Sequence, residues 1–516
     1  MKLYFANAVR EADRIAIERM GIPSLALMER AANAVVRTLV DEVPDLLVQR
    51  PLVLCGKGNN GGDGLAVARL LRGAGYEPEV LLLGEPARLS PDARVQYGRL
   101  AACGGPCQSL GPSDLPVLSA RLAQVGLVVD ALLGTGLSGP VRGFYAEAIK
   151  ALNACGALVA AVDIPSGLSG DALAPTGPAV VADLTLTLAL PKPILFTPEA
   201  AHYCGEVRLL DIGIPEEATR GLAAAGEVLD EAWASRRFPP RGALDHKGDL
   251  GRLLIVAGSR GKSGAAVLAA RGALRAGAGL VTVACPCSVQ PALAASLPEA
   301  MTLPLPETSE GTLSMDALVP IQSAFDGASA AGLGPGLGQA AETAALCREL
   351  FRRGALPMVV DADGLNAFAG REGDLSDHGG PRIFTPHPGE MGRLVGREAA
   401  EVIGDRYALV PAKATEWNAT VLLKGFRTLV AAPGHPWRMN LSGGPHMAGP
   451  GFGDVLTGVA SALLARGMDP FDAAALAAWW HGAAADLAAA RLGGYGLLAS
   501  EAGDALPVIE GERRRP

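Results

Sequence analysis

The sequence lacks the features that would place the protein in a membrane or on nucleic acid. No run of apolar residues reaches the roughly 18 that a membrane span needs. The N-terminus, which begins Met1-Lys2-Leu3, has no apolar core of the kind found in signal peptides. The formal net charge of −8 argues against nucleic acid as the main partner. We therefore expect a cytoplasmic protein with no membrane and no nucleic-acid partner.

Metal-binding cysteine patterns are also missing. The 8 cysteines are scattered. The two close pairs, Cys103/Cys107 and Cys285/Cys287, have no second pair and no histidine at the spacing of a zinc site. Structural thiols in a reducing cytoplasm explain them better. With 516 residues, 49% of them apolar, the chain is long enough for two or more globular domains.

The most informative stretch is a glycine-rich loop, residues 55–64, between a predicted strand and a predicted helix. This layout presents backbone N–H groups and a helix N-terminus to a ligand. The loop also matches the dinucleotide-binding fingerprint G-x-G-x-x-G. That signal is weak, because residues 134–139 match it too in a chain with 66 glycines.

Polar residues among these glycines point to a more specific site. Asn59, Asn60 and Asp63 lie within the loop. Amide and carboxylate oxygens suit a cation or the hydroxyl groups of a sugar. A simple tight turn would need glycine and one asparagine at most, so the pattern favours a binding site.

Two further predicted strands end on acidic residues. The strand at 127–130 ends at Asp130 and leads into a loop at 134–140, and the strand at 158–163 ends at Asp163, close to Ser166. Because ligands bind beyond the carboxyl ends of the strands in open α/β sheets, these residues and the glycine-rich loop are expected to share one edge. The alternation of short apolar strands with helices predicts a Rossmann-like three-layer α/β/α sandwich.

A segment rich in alanine, glycine and proline divides the chain. It predicts a first domain at 1–215, a linker at 216–240 and a second domain at 241–510. The second half again alternates strands with helices, which predicts another α/β domain with a parallel sheet. Its loop at 258–264 is not a P-loop, because the Walker pattern requires glycine where the chain has Val256.

A predicted helix in the second half opens with Gly453 and Asp454. Its N-terminus offers unpaired N–H groups to a phosphate, and Asp454 could take a proton from a hydroxyl group. A glycine turn with an aspartate cap is the structural alternative. The basic loop at 424–428, which can meet phosphate or ribose oxygens, favours the binding site.

Both halves resemble the NAD(P)H-hydrate repair proteins. The pattern G-x-G-N-N-G-G-D-G after a strand is similar to the epimerase module of that family. From about His246 to Pro507 the chain resembles the ribokinase-like ADP/ATP-dependent NAD(P)H-hydrate dehydratase. The most specific match is Thr-Pro-His-Pro-Gly-Glu-Met at 385–391, which joins matches at 334–338 and 361–366. The whole chain resembles the bacterial fused enzymes.

For the first half, the resemblance implies an epimerase that interconverts the R and S forms of NADHX and NADPHX, the C6-hydrated reduced nicotinamides. It implies a potassium ion on Asn60, Asp130 and Ser166, with Asp163 as the candidate acid/base. The implied substrate-binding residues are Asn59, Asn60, Gly61, Gly62, Asp63, Gly134, Thr135, Gly136, Leu137, Ser138, Gly139, Pro140 and Asp163.

For the second half, the resemblance implies dehydration of the S form with ADP or ATP, together with Mg²⁺, and the fused forms favour ADP. Asp454 would deprotonate the C6 hydroxyl, and a homo-oligomer is expected. The implied substrate-binding residues are Ala265, Gly336, His387 and Asp454. The implied nucleotide-binding residues are Lys424, Gly425, Phe426, Arg427, Thr428 and Gly453.

One departure from the family affects the phosphate-binding turn. The family usually has small residues and Thr or Ser before Gly-Asp, where this chain has Pro450 and Phe452. Proline has no N–H for an anion, and phenylalanine is far bulkier than a hydroxyl residue. Two alternatives stay open. The second half could be a small-alcohol kinase that stops at the phosphate ester, and the first half could be a non-enzymatic nucleotide-binding scaffold.

Overall fold

The structure, a computed structural model, describes residues 1–513 and contains two compact units. The first covers Lys2–Gly226, and the second begins at Glu227. Within the described part of the chain, no helix is both long and apolar enough to cross a membrane.

A parallel sheet of seven strands, β2 to β8, forms the centre of the first unit. The strands of this part of the chain are β1 (Lys2–Leu3), β2 (Leu52–Cys55), β3 (Glu79–Leu83), β4 (Gln108–Leu110), β5 (Leu127–Ala131), β6 (Leu158–Val162), β7 (Leu184–Leu188) and β8 (Glu206–Leu210). The spatial order is β4-β3-β2-β5-β6-β7-β8. The order reverses between β2 and β5, as in a Rossmann sheet, and ligands bind at such a reversal.

Helices cover both faces of this sheet. They are α1 (Ala6–Arg14), which continues as a π-helix (Ile15–Arg19), α2 (Ser24–Glu42), α3 (Pro44–Leu47), α4 (Asn59–Gly73), α5 (Pro91–Ala102), α6 (Leu115–Leu122), α7 (Phe144–Asn153), α8 (Ala201–Cys204) and α9 (Glu216–Thr219). Along β2, Leu52 and Leu54 pack into one apolar cluster, whereas Val53 and Cys55 pack into another. Because successive side chains of a strand point to opposite faces, both faces of the sheet are core.

The second unit has its own mainly parallel sheet. Its strands are β9 (Gly226–Leu229), β10 (Arg252–Val256), β11 (Leu280–Pro286), β12 (Met301–Leu305), β13 (Ala330–Leu333), β14 (Met358–Val360), β15 (Arg382–Phe384), β16 (Thr420–Leu423), β17 (Leu429–Ala431) and β18 (Trp437–Asn440). Their order is β9-β18-β17-β16-β15-β14-β13-β10-β11-β12. Neighbours from β16 to β12 are parallel, and β17 pairs antiparallel with both β16 and β18. The reversal here lies between β10 and β13.

Two glycines position the helix that carries Asp454. The helices of this unit are α10 (Glu231–Ser235), α11 (Ser263–Arg275), α12 (Gln290–Ser296), α13 (Leu318–Phe325), α14 (Ala341–Arg353), α15 (Asp363–Asn366), α16 (Pro388–Val395), α17 (Ala399–Gly404), α18 (Arg406–Glu416), α19 (Phe452–Ala465), α20 (Pro470–Leu492) and α21 (Ala499–Arg513). A Cβ on Gly272 of α11 would lie 2.6 Å from the carbonyl oxygen of Val455, and one on Gly458 of α19 would lie 2.0 Å from that of Ala269. Glycine therefore permits the close packing of α11 on α19.

The prediction of two α/β domains with mainly parallel sheets is confirmed. The residues predicted as a linker, 216–240, form α9, β9 and α10. Trp233 of α10 is 1% exposed and belongs to the apolar core of the second unit. The second unit therefore begins before residue 241, because the tryptophan needs that core to bury its ring.

Candidate active sites

Close backbone packing fixes the glycine-rich loop of the first unit. A Cβ on Gly56 would lie 1.8 Å from the carbonyl oxygen of Leu132, and one on Gly61 would lie 1.8 Å from that of Gly56. Both positions therefore require glycine. Gly58 differs, because no described atom lies within 4 Å of its Cβ position. Helix α4 begins at Asn59, so the two asparagines occupy its first turn.

Asp130 and Ser166 form a buried polar pair at the ends of β5 and β6. The Ser166 Oγ donates to Asp130 Oδ1 at 2.6 Å, and the Ser166 N–H donates to Oδ2 at 2.8 Å. The N–H of Leu133 donates to Ser166 Oγ at 2.8 Å. Burial raises the pKa of Asp130 to about 6, although these hydrogen bonds from Ser166 and one from Leu132 oppose the rise.

Asn60 reaches the same region through Gly134. The Cβ position of Gly134 lies 3.1 Å from Asn60 Cβ, and Gly134 directly follows Leu133. Asn60 is 9% exposed, and its amide nitrogen has no hydrogen-bond partner among the described residues. The oxygen and nitrogen of an amide exchange places on a 180° turn, so either atom can face the site. By contrast, Asn59 is exposed and accepts a hydrogen bond from Ser90 Oγ at 2.7 Å.

Asp163 has a left-handed backbone and a buried cationic partner. Its φ is +69°, a value that residues other than glycine rarely adopt. The Lys192 ammonium donates to Asp163 Oδ1 at 2.5 Å, and the N–H of Leu188 donates to the same oxygen at 3.0 Å. Lys192 lies just after β7, so a third strand end contributes to the site.

Two more carboxyl groups face the same space. Burial raises the pKa of Asp13, on α1, to about 6, while Lys192 lowers it and Asp163 raises it. Burial also raises the pKa of Asp63 well above its ordinary value, and the charges of Asp163 and Asp13 add to that rise. Burial therefore favours the protonated form of both carboxyl groups.

These side chains line a cavity of about 810 Å³. Of the residues predicted to bind the first substrate, the cavity is lined by Asn59, Asn60, Asp63, Gly134, Thr135, Gly136, Leu137, Ser138, Gly139, Pro140 and Asp163. Gly61, Gly62, Asp130 and Ser166 support the wall without lining it. The sequence analysis missed Arg10, Asp13, Lys57, Tyr145 and Lys192, which also line it.

Two of these residues had a sequence signal. Lys57 lies within the glycine-rich loop 55–64, and Lys192 follows the apolar run 184–188, which predicts a further strand. Asp13 lies on α1, and the sequence pattern of a helix identifies its apolar face but not which of its polar residues line a cavity.

In the second unit, Lys424 and the buried Asp361 form a partly buried ion pair. The Lys424 ammonium donates to Asp361 Oδ1 at 2.6 Å and lies 3.7 Å from Glu390 Oε2. Thr457 Oγ1 donates to Asp361 Oδ2 at 2.7 Å. Burial alone would lower the pKa of Lys424, but Asp361 and Glu390 raise it above its ordinary value. The lysine is therefore charged and can bind an anion.

Asp454 lies in the first turn of α19, next to this pair. The Cβ position of Gly453 is 3.3 Å from the Lys424 ammonium nitrogen. Burial raises the pKa of Asp454 to about 7, and Asp361 contributes to the rise, while Lys424 opposes it. A carboxyl group of this kind changes its charge near neutral pH, as a general base requires.

Ala265 and Gly336 lie against each other at the edge of this site. The Cβ position of Gly336, where φ is +63°, is 2.9 Å from Ala265 Cβ. Nearby, Asp363 accepts hydrogen bonds from the N–H of Gly338 at 2.8 Å and from the Lys262 ammonium at 3.1 Å. Burial favours a higher pKa for Asp363, but these two donors lower it below its ordinary value.

His387 caps helix α16. Its Nδ1 accepts hydrogen bonds from the N–H groups of Gly389 and Glu390, at 3.0 and 3.3 Å. The side chain is 50% exposed, and Nε2 lies 3.5 Å from Glu390 Oε1. The ring therefore stabilises the turn and still presents one edge to solvent.

A second cavity, of about 430 Å³, lies beside the Lys424 loop. All the residues predicted to bind nucleotide line it: Lys424, Gly425, Phe426, Arg427, Thr428 and Gly453. Of the positions predicted for the second substrate, none lines this cavity: Ala265, Gly336, His387 and Asp454. The structure therefore separates the two groups of predicted residues.

Phe452, the bulky departure from the family pattern, also lines this cavity. Its ring is 6% exposed and lies 5.9 Å from the ring of His481. Burial lowers the pKa of His481 to about 4, so this histidine is neutral at physiological pH. Gly451, with a φ of +90°, turns the chain so that the phenylalanine can point inward. This cavity thus has an uncharged aromatic wall.

Comparison with known families finds a match in each unit. Residues 24–194 match the YjeF-related protein N-terminus. Residues 253–508 match NAD(P)H-hydrate dehydratase.

Relatives that carry both regions align with nearly the whole chain. The bifunctional NAD(P)H-hydrate repair enzyme of Moorella thermoacetica is 42% identical over 511 residues, which cover 99% of this chain and 96% of the relative. The enzyme of the same name from Escherichia coli is 36% identical and covers 97% and 92%. A crystal structure of ADP/ATP-dependent NAD(P)H-hydrate dehydratase from Bacillus subtilis, co-crystallised with ATP/Mg²⁺, is 30% identical. It aligns with a TM-score of 0.50 over 57% of this chain and 100% of its own.

Proposed function

The chain belongs to the family of bifunctional NAD(P)H-hydrate repair enzymes, and on this premise we propose which residues carry each activity. The enzyme epimerises R- and S-NAD(P)HX and dehydrates the S form to NADH or NADPH with ADP or ATP. We assign the epimerase to the first unit, Lys2–Gly226, and the dehydratase to the second, which begins at Glu227. The two family matches, 24–194 and 253–508, support this assignment.

For the epimerase, the cavity of the first unit is the substrate site and Asp163 is the acid/base. Inversion at C6 requires loss and return of water, and each step moves a proton to or from the hydroxyl oxygen. Asp163 lines the cavity, and the raised pKa values of Asp13 and Asp63 provide neighbouring groups that hold a proton. The loop 134–140 and Asn59 would bind the nucleotide part of the hydrate.

The residues proposed to hold potassium fit that ion. Asp130 supplies a carboxylate, Ser166 a hydroxyl and Asn60 an amide that has no hydrogen-bond partner among the described residues for its nitrogen. All three offer the oxygen ligands that hard cations prefer. When bound, potassium would supply positive charge beside the buried carboxylate of Asp130. That charge would favour ionisation of Asp130 and order the adjoining loop.

For the dehydratase, the cavity beside Lys424 is the nucleotide site. Lys424 to Thr428 and Gly453 would bind ADP or ATP, and Mg²⁺ would enter with the nucleotide, as the co-crystallised relative suggests. Asp454 takes the proton of the C6 hydroxyl as that oxygen attacks the terminal phosphorus and the shorter nucleotide leaves. The nitrogen lone pair of the ring then expels the phosphate from C6, and the departing phosphate takes a proton from C5, so that the C5–C6 double bond of the reduced nicotinamide ring re-forms. His387, Ala265 and Gly336 would hold the hydrate on the opposite side.

Asp454 carries this proposal, because its pKa of about 7 and its place beside Lys424 suit a base next to a bound phosphate. Two variants of the full chain test the assignment. Asp163→Ala should abolish epimerisation, measured by chromatography of the two epimers without nucleotide, and leave dehydration of S-NADHX intact. Asp454→Asn should do the reverse, with dehydration measured at 340 nm. If either variant loses both activities while folded, or keeps both, the assignment is wrong. Accumulation of a phosphorylated hydrate would indicate a kinase.

A further inference from the structure

Lys192 is a buried ammonium with no role in the proposal so far. It lies in the sequence Pro191-Lys192-Pro193, and its side chain is 1% exposed. Burial of an ammonium is costly unless the charge is paired and hydrogen-bonded. Lysine is rarely fully buried for this reason, so a buried lysine at the wall of an active-site cavity calls for a specific partner.

Three acceptors surround the Lys192 ammonium. It donates to Asp163 Oδ1 at 2.5 Å, to the carbonyl oxygen of Leu188 at 3.0 Å and to Thr187 Oγ1 at 3.2 Å. An ammonium has three protons, so these acceptors use all of them. Two of these acceptors belong to Thr187 and Leu188, the last residues of β7, so the lysine is bonded to this strand.

The same contacts fix the orientation of Asp163. Oδ1 receives both the ammonium and the N–H of Leu188, whereas Oδ2 receives no hydrogen bond from the described residues. The backbone of Asp163 is also strained, with a φ of +69°. Such strain persists at functional sites where surrounding contacts hold it. The two hydrogen bonds to Oδ1 hold the carboxylate in place and leave Oδ2 to face the cavity.

We propose that Lys192 is a positioning residue of the epimerase, which anchors Oδ1 of Asp163 and leaves Oδ2 to meet the hydrate. The inference rests on the proposed role of Asp163. Other acids face the same space, Asp13 and Asp63, and Lys192 is the buried ammonium among them. It contacts Asp163 directly, which distinguishes this carboxyl group from the other two.

The test compares four variants of the full chain by the pH dependence of epimerisation. Lys192→Met removes the charge and keeps most of the volume, and Lys192→Arg keeps the charge. Thr187→Val loosens the ammonium while leaving both charges in place. Lys150→Met is the matched control, because Lys150 is exposed on α7 and, among the described residues, forms an ion pair with Glu147 alone. Dehydration of S-NADHX is measured on the same variants as an internal control, and it should not change.

Lys192→Met should lower kcat for epimerisation at least tenfold at neutral pH with little change in KM. It should also move the pH limb of kcat upward by one pH unit or more, because an ammonium favours an ionised neighbour. Lys192→Arg should leave the pH limb of kcat at its wild-type position. Thr187→Val should also leave it there and should lower kcat only a few-fold. Lys150→Met should match the wild type.

A merely structural role would give a different pattern. If Lys192→Met scaled the wild-type profile by one factor at every pH, or left kcat unchanged, the proposal would be overturned. Should Lys192→Met fail to fold, Thr187→Val and Lys192→Arg decide. The proposal is contradicted if the pH limb of kcat shifts in Lys192→Arg or in Thr187→Val. It is also contradicted if Thr187→Val keeps full epimerase activity. Failure of the proposed function itself looks different, since Asp163→Ala would then leave epimerisation unchanged.

Discussion

The charge of Asp454 depends on its neighbours as well as on burial. Burial raises its pKa to about 7, Asp361, Asp363 and Glu390 add to the rise, and Lys424 opposes it. A bound nucleotide would bring Mg²⁺ and phosphate into this group of charges. The residue can thus accept a proton near neutral pH, whereas an ordinary exposed aspartate would be too weak a base.

Asp454 should therefore make stability depend on pH. Its raised pKa favours the protonated form in the folded protein, so its contribution is present below pH 3.8 and is lost as the pH rises through about 7. Asp454→Asn cannot ionise. We expect it to raise the melting temperature of the dehydratase transition by several degrees above pH 7, with little change near pH 4.

Calorimetry of both proteins across this pH range measures the difference. Added ADP identifies the dehydratase transition by raising its melting temperature in the wild type. An offset between variant and wild type that is the same at pH 4 and pH 8 would show that Asp454 ionises freely in the folded protein.

At the scale of elements, each sheet carries proposed substrate-binding loops at the point where the strand order reverses, whereas the proposed nucleotide loop follows β16, away from that point. In the first unit the loops after β2 and β5 flank this point, and in the second the loops after β10 and β13 do. The carboxyl ends of neighbouring parallel strands face one edge, and the adjacent loops diverge there to leave a crevice. The positions of Asp130 and Asp163 at strand ends follow from this topology.

The glycines of the first loop allow a paired test of this geometry. Gly61→Ala would place a methyl group 1.8 Å from a backbone oxygen of Gly56, so we expect it to destabilise the epimerase unit by about 2–4 kcal/mol. Gly58→Ala is the matched control, since its Cβ would meet no described atom within 4 Å. It should change stability by less than about 0.5 kcal/mol. Denaturant unfolding measures both, and equal effects would show that the loop can move to admit a side chain.

The strands and their chemistry were largely predictable, because apolar runs end where polar residues begin. The strand predicted at 127–130, for example, is β5, Leu127–Ala131. The start of α4 was not, since glycines and asparagines are poor helix formers and only the packing of Gly56 and Gly61 reveals why the helix begins at Asn59. The contact between Lys192 and Asp163 joins residues 29 positions apart and carries no local signal.

At the scale of the whole molecule, two activities share one substrate pool. The epimerase converts the form that the dehydratase does not accept into the form that it does, so the chain as a unit should repair either epimer. The cavities of the two units differ in chemistry. The first is lined by several carboxyl groups, and the second by a lysine, glycines and an aromatic wall.

The most direct test of this account is the recovery of NADH from pure R-NADHX. The purified full chain is mixed with R-NADHX, ADP and potassium, and absorbance at 340 nm is followed beside the Asp163→Ala variant. We predict complete recovery by the wild type, at a rate well above spontaneous epimerisation, and recovery at only the spontaneous rate by the variant. If the wild type recovers NADH no faster than Asp163→Ala, the first cavity is not an epimerase site and the account is contradicted.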